Sequence, residues 1–521
     1  VSVVGEREST RWSLNDAVAV PVALVFLAAG IWRHRGYFHD DAFISLRYAL
    51  NLAKHGELTW NLGEPVEGYT NFLHLLGAAG LIRLGVAPET AVLAINLAGA
   101  LVLVVVAFMA ARVVAPGEDR ALERIAAVVA VGATPGIAVW VTGGLEAVPL
   151  SAMLAAGLWG VLLLSRDPER GGVIAGVVLA FSLAVLTRMD AAVFIAASGL
   201  GLLLASGGET RKRLIAALVV VGVPALVSLG HMAWRYETYG TLLPLTFDAK
   251  TSLPMASRMA GLQPFFTASL TWAPIIALSV IGLFAGLLFR LRGRDFALLA
   301  TVFGVHLAYV IWSGGDHMKG SRVLLVIVLP AALQLLSVAE TLSRTAGRAI
   351  MVVAALASVV ALYLRPPLQM DPAAYVGSII GRHIAAEWPA DSLVAVHTAG
   401  STPFQALDLR FIDMLGLNDP VIAARKDVPI RAFMQLLPGH MKGDGAYVLS
   451  RKPDYIIAGF AQGSPVEEQT FLTDVELAEL PEFAKCYEMR QENVAIPEDL
   501  AGRGEPPSDP LVFSFYERVC E

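Results

Sequence analysis

Two adjacent carboxylates, Asp40 and Asp41, open the stretch YFHDDAFISLRYALNLAKHGELTWNLGEPVEGYTNFLHLL (37–76), just beyond the first apolar segment of the chain. Acids at a membrane boundary are costly to hold, so such a pair is read first as a working site. Helix capping competes with that reading: an acid at the N-cap, an amphipathic run and Gly56 at the end describe a helix beginning at Asp40. Asp40 as cap and Asp41 as site are compatible. A carboxylate here can take a proton from an acceptor hydroxyl as general base. Paired acids can instead hold Mg²⁺ or Mn²⁺, hard cations that prefer oxygen ligands. The residues leave both roles open.

Cations suited to a phosphate group follow at Arg188, Lys250 and Arg322; a guanidinium binds phosphate in bidentate fashion. Glu67, Tyr69, Asn71, Glu146, Asp316 and His317 occupy loops on the same side of the apolar segments and are candidates for substrate contact. Each has a plainer reading. Arg188 can simply pair with Asp190, Lys250 can snorkel at an interface, and Glu146 can serve a helix dipole. Asp316 and His317, in WSGGDHMKGSR, can belong to an ordinary Gly-Gly turn. Trp140 and Trp312 read as interfacial anchors. One carboxylate base with cationic recognition of phosphate is equipment for moving a sugar from a polyprenyl-phosphate carrier. No HExxH, Walker A, CxxC or GxSxG motif stands in a usable context. His383, His397 and His440 are too scattered to suggest a ligand cluster.

The elements that must position these groups are set by hydropathy. Of 521 residues, 56% are hydrophobic and 16% charged, with mean hydropathy +0.62, which excludes an ordinary soluble globule. Apolar segments fall near 15–32, 71–86, 90–112, 124–141, 144–164, 171–187, 190–206, 214–234, 270–290, 296–312, 322–341 and 349–364. Segment 71–86 is short and carries Arg83, so it is expected to be half-inserted or interfacial. That leaves about eleven crossings of a bilayer core. The first segment, 15–32, reads as a retained span without a small-residue cleavage site. Basic loops at Arg112/Arg120/Arg124, Arg166/Arg170, Arg211/Lys212/Arg213, Arg290/Arg292/Arg294 and Arg344/Arg348 are placed in the cytoplasm by the positive-inside rule. The acids, His317 and the remaining cations then gather on the extracytoplasmic face.

Residues 1–364 are thus expected to form a transmembrane domain and 365–521 an extracytoplasmic α/β domain. In the latter, charge and proline rise, a helix is read in AAYVGSIIGRHIAAEW, and short strands are read in SLVAVHT, YVLS, DYIIAGF and LVFSFYERV. Its two cysteines, Cys486 and Cys520, can pair outside the cytoplasm. Spans this apolar, with chemistry stacked at one face, favour an enzyme at the membrane surface over a lipid-linked sugar transporter or flippase, which needs polar groups in mid-membrane.

The same stretch, DDAFISLRYALNLAKHGELTWNLGEPVEGYTNFLHLL, resembles the opening loop of arabinofuranosyltransferases of the GT-C glycosyltransferase superfamily. The similarity continues through WVTGGLEA, LTRMDA, YGTLLPLTFDAK, GGDHMKGSRVLLVIVLP, FIDMLGLND and GHMKGDGAYVLSRKPDYII. It is nearest to the mycobacterial and corynebacterial terminal β-(1→2)-arabinofuranosyltransferase family; arginine in excess of lysine fits a GC-rich actinobacterial source. The resemblance implies a GT-C membrane core with an external C-terminal domain and decaprenyl-phosphoryl-D-arabinofuranose as donor. It also implies an arabinan end of arabinogalactan or lipoarabinomannan as acceptor, with no nucleic-acid partner. It assigns Asp40 or Asp41 as the catalytic carboxylate and carries Lys250, Asp316 and Arg322 over as site residues. A relative that moves mannose, or decorates another glycan or a protein, is the alternative.

Overall fold

The computed structural model describes residues 18–205, 209–245, 262, 266–267, 270–291, 293–316, 318–437 and 439–520. Lys250 and His317 lie outside them. Among the described residues six helices are long and apolar enough to cross a membrane: Pro88–Val114, Ala147–Leu164, Thr210–Tyr239, Arg294–Ser313, Arg322–Ala339 and Arg344–Leu364. Shorter apolar helices run Ala19–Arg33, Phe72–Arg83, Gly171–Thr187, Ala191–Leu204 and Pro274–Leu288. Phe72–Arg83, at 12 residues, spans roughly 18 Å at the usual rise, well short of a bilayer core of about 30 Å.

One expected straight span is broken. The segment read as 124–141 divides into Ala121–Gly132 and Pro135–Thr142, bent by 41°. Pro135 cannot donate an amide and disfavours the helical region for Thr134 before it; Thr134 is extended there.

The ends of the helices sort by chemistry. At one end the arginine-rich loops meet: Arg166 pairs with Asp295 at 2.8 Å and Arg120 with Glu340 at 3.2 Å. At the other end Arg33, closing the first helix, donates to the Arg365 carbonyl at 2.9 Å, where the tail begins.

Between the bundle and the tail lies the amphipathic helix Asp40–His55. Its N-cap is His39, whose Nδ1 accepts from the Asp41 amide at 3.1 Å. The expected cap, Asp40, is instead the first helical residue, and Gly56 closes the helix in the left-handed conformation. Arg47 leaves this helix, buried, and donates to the Trp60 carbonyl at 2.7 Å and the Leu409 carbonyl at 3.1 Å. Asn51 Nδ2 also donates to the Trp60 carbonyl, at 3.2 Å; through Arg47 one side chain ties helix, loop and tail together.

The tail holds a five-stranded sheet: β1 (Leu393–Val396), β2 (Arg410–Asp413), β3 (Tyr455–Ile457), β4 (Tyr487–Val494) and β5 (Leu511–Arg518), in the order β2-β1-β3-β5-β4. The β1 strand is parallel to β2 and β3, whereas β5 is antiparallel to β3 and β4. The helix Pro372–Glu387 matches the sequence reading. YVLS does not: it lies in the helix Gly445–Ser450, started by Asp444, whose side chain accepts from the Tyr447 amide. A short apolar run carries no period that separates strand from helix, and the cap decides. Strands β2 and β4 were not anticipated. Cys486 and Cys520 are joined by a disulfide that brackets β4 and β5.

Candidate active site

The loop ends enclose a cavity of about 470 Å³, within the range of small-molecule sites. Its polar wall carries Asp41, Tyr69, Asn71, Glu146, Arg188, Asp190, Asp316 and Arg322. The lining also includes apolar side chains such as Leu150, Leu154, Val193, Val323 and Val326.

Each polar group has a local reason for its place. Asp41 is brought to the cavity by the turn at His39, which fixes the first turn of its helix. That helix packs closely over Gly144, whose φ is +84° and whose Cβ would come within 2.6 Å of Ala42. Only glycine satisfies both demands. The following residues put Glu146 at the start of the Ala147–Leu164 helix. Arg188, closing the Gly171–Thr187 helix, meets Glu146 at 2.8 Å and grips Asp190 through two bonds of 2.9 and 2.7 Å. The local Arg188–Asp190 pair is therefore present, and so is a third member brought from a distant helix. Arg322 lies 3.3 Å from Asp316 and over the face of Trp140, 5.6 Å from its centroid.

Trp140 is fully buried, its Nε1 donating to the Lys319 carbonyl at 3.0 Å. It supports the Arg322 loop and is no interfacial anchor; its indole N–H found a partner inside the protein. Trp312 is 65% exposed, compatible with the anchoring role. Asn71 is buried and accepts from Ser45 at 2.9 Å; Tyr69 meets the Tyr239 hydroxyl at 3.1 Å.

Two expected site residues stand apart from the cavity. Glu67 is buried in an ion pair with Arg235 at 2.8 Å, and burial raises its carboxyl to about 7 against the opposing pull of that arginine. Asp40 is turned to the tail, where its Oδ1 accepts from the Ser401 amide at 2.8 Å. Burial lifts its pKa to about 6, opposed by the bonds from Ser401, while Asp371 and Asp41 add further upward pushes. Of the adjacent acids, only Asp41 lines the cavity.

A family model described as a domain of unknown function (DUF8728) matches residues 369–505. No curated protein matches the chain. Among solved structures, the Archaeoglobus fulgidus oligosaccharyltransferase in complex with Zn and sulfate gives a TM-score of 0.54 at 12% identity, over 85% of this chain and 67% of that one. ArnT from Cupriavidus metallidurans bound to undecaprenyl phosphate gives 0.48 at 15% identity, over 76% and 85%. The arabinosyltransferase EmbB from Mycobacterium smegmatis gives 0.39 at 13% identity, over 75% and 35%. The fold is GT-C. At such identity the likeness carries the fold alone, a polytopic helical membrane core with a C-terminal sheet domain.

Several cavity residues of this chain were missed in the sequence. His306, Tyr309 and Trp312 line the cavity from the Arg294–Ser313 helix. Their three-residue spacing within an apolar span was the available signal. Leu417 comes from the tail, beside strand β2. A Mg²⁺ or Mn²⁺ ion gripped by both first-loop acids at once does not fit this arrangement. Asp40 and Asp41 face different surroundings, and among the described residues no group of three or more His, Cys, Asp or Glu is placed to hold a metal ion.

Proposed function

We propose that the chain is a membrane glycosyltransferase that moves D-arabinofuranose from decaprenyl-phosphoryl arabinofuranose to terminal arabinan hydroxyls of the cell envelope, on the extracytoplasmic side. The observation that carries this is one cavity lined both by apolar side chains suited to a prenyl chain and by four carboxylates, Asp41 among them, with two guanidiniums. Asp41 takes the proton of the acceptor hydroxyl as its oxygen bonds to the anomeric carbon. The bond from that carbon to the phosphate oxygen breaks, and the charge of the departing lipid phosphate falls to Arg188 and Arg322. Arginine has five N–H donors, and three of those on Arg188 are engaged by Glu146 and Asp190. The rest are available to phosphate without dismantling the cluster. Lys250 adds a further cation in this reading. Tyr69, Asn71, Glu146 and Asp316 shape the sugar pocket, with Glu67 supporting the loop from behind, and His317 is assigned to substrate contact by the sequence alone.

The sugar and the acceptor are the finer part of the proposal and rest on the resemblance of the motifs quoted above. The test is incubation of the purified protein with synthetic prenyl-phosphoryl arabinofuranose and a short arabinan, with mass spectrometry of the products. A prenyl-phosphoryl mannose donor run in parallel separates the alternative. A covalent product that Asp41→Asn abolishes is expected; translocation of the lipid without any product would overturn the reading.

A further inference from the structure

A second cavity, of about 310 Å³, lies between the first loop and the tail. We propose that it binds the sugar units behind the acceptor hydroxyl, making it an oligosaccharide subsite supplied largely by the tail; this rests on the transferase reading above. Its walls are Glu64 and Pro65 on the loop side, and Asn418, Asp419, Tyr447 and Arg451 on the tail side.

The wall groups form one connected relay. Arg451 donates to the Tyr447 hydroxyl at 2.8 Å, and that hydroxyl donates to Asp419 Oδ2 at 3.1 Å. Arg451 also lies 4.0 Å from Glu64 across the cavity. Asp419 is fixed from behind, its Oδ1 accepting from the Val421 and Ile422 amides at 3.0 and 3.1 Å. Asn418 is fixed by its bond to Asp413 Oδ2 at 2.9 Å. Carboxylates, an amide, a phenol and a guanidinium, held rigid and partly open to water, match a ligand whose surface is hydroxyls that both donate and accept. Pro65, Val66, Phe411 and Pro420 complete the lining and offer apolar faces to a sugar ring.

Position ties this cavity to the first. Leu417 lines the large cavity and its neighbour Asn418 the small one. Across from them, Gly68 lines the large cavity and Val66 the small one. The two segments touch at Gly68, where a Cβ would fall 1.9 Å from Asn418 Oδ1 and 2.7 Å from the Leu417 carbonyl. The two cavities are thus neighbours separated by the contact of Gly68 with Leu417 and Asn418, and a glycan whose end reaches Asp41 over the edge of that contact sets its next units against the small cavity.

The experiment compares a tetrasaccharide arabinan with a single-residue alkyl arabinofuranoside as acceptors, in wild type, Arg451→Ala and Tyr447→Phe. KM for the tetrasaccharide should rise about tenfold in Arg451→Ala, the loss of a charge-assisted hydrogen bond. KM for the single-residue acceptor and for the donor should stay put. Saturation-transfer NMR of the tetrasaccharide with full-length protein, without donor, should show binding that Arg451→Ala weakens. Unchanged tetrasaccharide KM in both variants, or no NMR binding to wild type, overturns the subsite while leaving transfer intact. Binding that Arg451→Ala weakens, with no transfer from any prenyl-phosphoryl sugar, supports the subsite and removes the transferase reading.

Discussion

Replacing Asp40 by Asn separates the structural acid from the reactive one. The amide oxygen can still accept from Ser401, but the position no longer titrates. In the folded protein Asp40 has a pKa near 6, against 3.8 in an unfolded chain. A difference of that size corresponds to roughly 3 kcal/mol of linked stability. Its sign is fixed by which state holds the proton. Between about pH 4 and 6 the folded form keeps a proton that the unfolded form has released. The contribution is therefore complete below pH 4 and lost as pH rises through 6. Asp413 near 6, Asp474 near 7 and Glu67 near 7 titrate in the same direction, but they do so equally in both proteins, so the difference isolates Asp40. Thermal unfolding of wild type and Asp40→Asn in detergent, followed by tryptophan fluorescence from pH 4 to 8, measures it. Relative to the variant, wild type should lose stability across that range, with most of the change complete by pH 7. Parallel profiles would refute the burial of a titrating Asp40, and a wild type that gains on the variant with rising pH would reverse its sign. In the transfer assay Asp40→Asn should retain product formation and Asp41→Asn should not; the opposite pattern would move the general base by one residue.

Glu67→Gln leaves Arg235 buried without its counter-charge, which should cost about 3–5 kcal/mol in unfolding free energy. The double variant Glu67→Leu/Arg235→Met should recover most of it, and a single-variant loss below about 1 kcal/mol would contradict the pairing. Arg188→Lys keeps a charge but loses the fork that holds Glu146 and Asp190 while facing phosphate; donor KM should rise about tenfold in steady-state kinetics. Cys486→Ser opens a loop closed over a sequence separation of 34 and should lower unfolding stability by about 4 kcal/mol, read as a shift in denaturant midpoint.

Hydropathy alone determined the class of this molecule, because a bilayer core accepts only long apolar helices or closed β-barrels, and the chain repeats the former. Charge in the loops then sorted the two ends, and the arginine loops do meet one another. The candidate residues were legible because acids and cations at span ends are rare and costly. Their partition was not. Asp40 and Asp41 are neighbours with the same chemistry, and only the tail's Ser401 amide, 361 residues away, turns one of them inward. Glu67 reads like its neighbours Tyr69 and Asn71 until Arg235 is folded against it. Trp140 reads as a boundary residue until the Asp316–Arg322 loop closes over it. Each of these outcomes depends on a partner remote in sequence, and no local pattern of hydrophobicity, charge or capping encodes which remote segment will arrive.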